Sequence, residues 1–185
     1  MRSESISFNE SENREGIHDF AAGKAEALAY LTREKEGRLL KREESLDGEL
    51  RELVDLLNHL SFLYTTYSYI GYLVTKDNAE RGFASMGENE AITNRGYITF
   101  IADENAISLD FIAKLKELES AFADVEIATL SLDTPKSILG KEHRIIHFGR
   151  SSGRPIPLTE ARQIEAEKER FLQRLKTLVA VFLEK

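Results

Sequence analysis

Residues 96–132 constrain the fold more than any other stretch. GYITFIA (96–102) is a short apolar run of strand-forming residues. DENAISLDFIAKLKELESAF follows, with Leu109, Ile112, Leu115, Leu118 and Phe122 at helical spacing and Ser108 placed as N-cap. VEIATLSL (125–132) is then a second apolar run. Strand, helix, strand at this spacing predicts a βαβ unit, two parallel strands joined by a right-handed crossover.

The flanking segments read as helices. Ile17, Phe20, Ala21, Leu28 and Leu31 predict an amphipathic helix over 17–42, loosened at Gly37. After SLDGE (45–49), Leu53, Leu56, Leu57, Leu60, Leu63, Tyr64 and Tyr67 keep the same rhythm. Beyond Leu60 the residues turn aromatic and β-branched, which admits a strand over 61–75, but the persistence of the period favours helix. Two such helices form an antiparallel hairpin over 17–75. Residues 76–96 are polar and dotted with glycine, a long loop. A third strand is expected over 144–148. A last helix over 160–184, capped by Thr159, would bury Ile164, Phe171, Leu172, Leu175, Leu178, Val179 and Phe182.

The expected class is therefore α+β: a long antiparallel helical hairpin and a C-terminal helix packed around a small three-stranded sheet containing one βαβ unit. Residues 1–16 read as a flexible tail, and 17–185 as a single domain, with the sheet and last helix in 97–185. Its 185 residues suffice for one core.

The chain has no cysteine, which removes disulfides, thiolate nucleophiles and cysteine-ligated metals and fits a reducing cytoplasm. The N-terminal stretch has no apolar run of the secretory kind, and no apolar run is long enough to span a bilayer, so no membrane association is expected. No cofactor is expected either.

The net charge of −7 conceals a basic island. From Lys136 to Arg162, six lysines and arginines face two glutamates, so that this segment is cationic and the remainder strongly acidic. Such a chain does not coat nucleic acid generally, but it can grip one anion at one place.

The island contains HRIIHFGRSSGRP (143–155). Gly149 and Gly153 permit left-handed turns that aim successive backbone N–H groups at one anion, with Ser151 and Ser152 beside them. Arg144, Arg150 and Arg154 supply forked contacts to phosphate or carboxylate. Neither GxxxxGK[ST] nor GxGxxG is present. His143 and His147 are the candidates for acid–base chemistry. On a strand they lie about 13 Å apart, too far to share one metal.

Glu52-x-x-Asp55 resembles one of the two magnesium-binding motifs of MazG-related nucleotide pyrophosphohydrolases. The spacing after Glu43-Glu44 does not complete the other. No nucleophile, base and orienting group form a motif. The expectation is a non-catalytic interaction or regulatory subunit of a larger assembly. It would meet a protein partner, or its own copy, through apolar helix faces. It would take an anionic group (phosphate, nucleic acid or an acidic surface) at 141–154. The alternative is a phosphate-ester-acting enzyme using Arg150 and Arg154 with His143 or His147.

Overall fold

Strand-forming residues after Leu60 override the helical rhythm that precedes them. The computed structural model describes residues 20–35, 48–78, 86–130 and 143–185. In chain order the elements are α1 (Phe20–Lys35), α2 (Gly48–His59), β1 (Leu63–Tyr69), β2 (Leu73–Thr75), β3 (Glu90–Thr93), β4 (Gly96–Ala102), α3 (Ala106–Glu119), β5 (Val125–Leu130), β6 (His143–Phe148), β7 (Ile156–Pro157) and α4 (Leu158–Leu183). The proposed tail 1–16, Lys141 and the far end of the first expected helix lie outside the described residues.

The long hairpin does not form. α2 ends at His59, a turn at Leu60–Phe62 follows, and LYTTYSY runs as β1. Leu63 and Tyr64 are both buried because they face opposite, covered sides of the sheet, so this adjacent pair fits the helical series. A β-bulge between Thr65 and Tyr67 leaves Thr66 unpaired and breaks the alternation further along.

The βαβ unit does not form either. The four-stranded sheet has the order β1-β4-β6-β5, and every ladder in it is antiparallel. β4 and β5 do run the same way, but β6 is inserted between them, so they share no ladder. A second, three-stranded sheet, β2-β3-β7, is assembled partly from the segment read as loop 76–96.

Two caps also differ. Asn105 caps α3, its side chain accepting from the Ser108 N–H (2.9 Å), and Pro157 precedes α4 without a side-chain cap.

One face of the four-stranded sheet carries Leu63, Ile98, Phe100, Ile127, Ile146 and Phe148 into a core closed by α2, α3 and α4. Leu53, Leu57, Phe111, Leu115, Phe171, Leu175 and Val179 complete it, all inaccessible to solvent. The main apolar stripes of α2, α3 and α4 pack into this core. Alternation sends Tyr64, Tyr69, Tyr97, Thr99, Ile101, Ile145 and His147 to the opposite face. There α1 packs Phe20 against the Tyr64 ring at 5.2 Å. Lys24 donates to the carbonyls of Leu60 and Leu63, in the turn after α2 and at the start of β1, and burial lowers its ammonium pKa to about 8.

Candidate anion-binding cleft

The chain passes between the two sheets three times, and all three crossings meet at one end of the molecule. They are residues 70–72 between β1 and β2, 94–95 between β3 and β4, and 149–155 between β6 and β7. Glycine permits the approach. A Cβ on Gly71, whose φ is +76°, would lie 2.3 Å from the Asn94 carbonyl oxygen. One on Gly96 would lie 2.1 Å from the Phe148 ring and 2.5 Å from the Ile70 carbonyl.

Hydrogen bonds then pin the basic loop to its neighbour. The Thr93 hydroxyl donates to the Arg150 carbonyl (2.7 Å), and the Ser152 N–H donates to the Thr93 carbonyl (3.0 Å). The Thr93 N–H donates to Ser152 Oγ (3.2 Å) and the Arg95 N–H to Ser151 Oγ (3.1 Å). Ser151 donates to Asn94 Oδ1 (2.8 Å), and the Asn94 N–H donates to the Tyr72 carbonyl (2.8 Å). Gly149 and Gly153 adopt φ of +72° and +63°, the left-handed turns that their sequence allows. Gly149 rests over Lys168, a buried lysine ion-paired with Glu165.

The result is an open cleft of about 420 Å³ whose walls include Arg95, Asp124, Glu126, Gly149, Arg150 and Ser151. Arg95 pairs with Glu126 at 2.8 Å, and Arg150 pairs with Glu160 at 2.6 Å. All four side chains are partly exposed, so these pairs are weak and an incoming anion can replace either carboxylate.

Of the residues singled out in the sequence, Arg150 and Ser151 line this cleft. Ser152 holds the loop from behind through its bonds to Thr93. Arg154 is exposed beyond it and is not among the lining residues. Arg144 is not brought there. It lies opposite Phe100 and Thr129, at the other end of β6, and lines a small crevice with Asp103, Glu104 and Ser108.

His143 and His147 share the face opposite α2, α3 and α4 but stay four residues apart on an extended strand, and neither lines the cleft. Cross-strand register sets Tyr69, Tyr97, His147 and Glu126 in one row. The Tyr97 ring is 5.9 Å from Tyr69 and 6.4 Å from His147. Burial, helped by the charge of Arg95, lowers the His147 imidazole below the ordinary histidine range, against an opposing pull from Glu126. Its Nδ1 is buried without a hydrogen-bond partner among the described residues.

The acids of the partial MazG-like motif also find ordinary partners: Glu52 binds Lys176 (2.7 Å), and Asp55 lies 3.8 Å from His59. Among the described residues no group of three metal-ligating side chains converges, and no helix is long and apolar enough to cross a membrane.

Three cleft residues, Arg95, Asp124 and Glu126, escape sequence reasoning. They come from separate segments, and only the ladders of β4 and β5 with β6 assemble them. The TNRG turn (93–96), a polar run closing on glycine before a strand, is the one local signal that a tight crossing lies there.

No family model matches the chain, and neither does any curated protein. Among solved structures it is similar to the PH1069 protein from Pyrococcus horikoshii, at 14% identity and a TM-score of 0.49. The match covers 91% of this chain and 96% of that one. A likeness at this level carries no argument about function or fold.

Proposed function

We propose that the protein is a non-catalytic interaction or regulatory subunit that takes an anionic group of its partner in the cleft between Arg95 and Arg150. The observation that carries this reading is the pinning of loop 149–154 to residues 93–95. It fixes the backbones of Arg95 and Arg150 on the walls of one cleft, which lowers the ordering cost of binding between them. Arginine presents planar paired donors suited to phosphate and carboxylate. The histidines lie outside the cleft walls, and among the described residues no nucleophile is held against a base there, which favours binding over turnover. Further contact with a protein partner would fall on the apolar ends of two helices, where Ile107 and Leu109 of α3 and Val181 and Leu183 of α4 are exposed.

The test is purification of the tagged chain from its native cells at low salt, beside the Arg95→Gln/Arg150→Gln variant. The native chain is expected to retain a stoichiometric partner that the variant loses, with retention falling as salt rises. Equal retention by both chains would remove the cleft from the interaction.

A further inference from the structure

The charges around the cleft do not suit a bare anion. Arg95 and Arg150 are matched by Asp124 and Glu126 within the walls, and Glu160 adds a third carboxylate through its pair with Arg150. Asp124 is the unusual member. It is half-buried just before β5 and forms no hydrogen bond or ion pair among the described residues. Every other charge here has a partner: Arg95 with Glu126, and Arg150 with Glu160.

Glu126 holds one nitrogen of the Arg95 guanidinium, so an anion that takes a forked contact there competes with that carboxylate. Displacement leaves Glu126 of β5 and Asp124, which immediately precedes that strand, as carboxylates of one wall, neither paired with a cation. Repulsion between them would oppose the binding of phosphate alone. A ligand that brings its own positive charge removes this opposition.

We propose that the cleft is selective for a dipolar ligand: a phosphate-type anion held by Arg95 and Arg150, carrying an ammonium group that Asp124 and the displaced Glu126 receive. A cleft of about 420 Å³ matches a small molecule or the charged tip of a larger one. This rests on the anion-binding reading above, and adds to it the requirement for a cation.

The experiment uses the full chain and three probes, O-phosphoethanolamine, ethyl phosphate and ethanolamine, titrated at neutral pH and followed by amide shifts at Gly149, Ser151 and Glu126. Phosphoethanolamine is expected to bind at least fivefold more tightly than ethyl phosphate, and ethanolamine more weakly than either. Asp124→Asn should bring the two phosphates to equal affinity by weakening phosphoethanolamine, with ethyl phosphate held or improved. Equal affinities in the native protein would overturn the dipolar requirement and leave the anion site standing. A preference that survives in Asp124→Asn would overturn the role of that carboxylate. Absence of binding by both phosphates would overturn the anion site itself, and this inference with it.

Discussion

Asn58 shows how much one side chain can decide. It is 1% exposed at the end of α2, donates to the Val54 carbonyl (2.9 Å) and to Thr65 Oγ1 (2.6 Å), and accepts from the Thr65 N–H (2.9 Å). That set turns the chain from helix into strand and positions the bulge, where Thr99 Oγ1 accepts from the Tyr67 N–H (2.9 Å). Asn58→Ala leaves buried partners unsatisfied, so chemical denaturation should show a loss of roughly 1–3 kcal/mol. An unchanged midpoint would mean that water replaces the amide without cost.

His147 makes a pH-dependent contribution of known sign. Its folded pKa lies below its unfolded value, so the unfolded chain binds the proton more readily. The native state is favoured fully above the ordinary histidine range and loses that advantage as pH falls through the folded pKa. Replacing His147 by Gln should flatten the acid side of the stability profile in that window, measured by denaturant midpoints at successive pH values.

Among the elements, β5 is an edge strand of the four-stranded sheet, and α3 guards it. Lys116 donates to the Ile127 carbonyl, while Glu119 accepts from the Ile127 N–H (2.8 Å) and pairs with Lys116 (2.9 Å). Two outward backbone groups of the edge are thereby closed to another chain. Burial alone would raise the Glu119 carboxyl, but the Ile127 N–H and Lys116 outweigh it and hold it below the ordinary glutamate range. The guard should therefore persist at neutral pH and fail as pH falls through that depressed value. Glu119→Ala is expected to increase self-association at neutral pH, read by light scattering at matched concentration. A monodisperse variant would show that the edge is protected by other means.

The same elements show what the sequence could and could not reveal. β4, β5 and β6 are legible because their apolar runs are short and bounded by polar residues, and α4 because its stripe persists from Ile164 to Phe182, about five turns. β1 is misread because both of its faces are covered at Leu63 and Tyr64, and the bulge at Thr66 then disrupts the two-residue period on which a half-buried strand is recognised. β2, β3 and β7 span only two to four residues, too few to establish any period. β6 inserts between β4 and β5, a choice of pairing that local pattern does not encode. Gly149 and Gly153 announced their backbone from composition alone. Arg95 and Asp124 did not, because their role depends on ladders between segments distant in the chain.

For the whole molecule, net acidity and the proposed anion site are compatible because the two sheets bring their crossings together at one end. The charge of −7 repels anionic surfaces at long range, so any ligand that reaches the cleft must be recognised at short range by geometry. The most direct test of that geometry is a titration of the native chain with O-phosphoethanolamine at low salt, followed by amide shifts and repeated with Arg95→Gln/Arg150→Gln. Saturable shifts confined to residues 93–95, 124–126 and 149–153, abolished in the double variant and weakened by added salt, are the expected result. Shifts that appear elsewhere, or that survive loss of both arginines, would contradict the assignment of the cleft as the anion site.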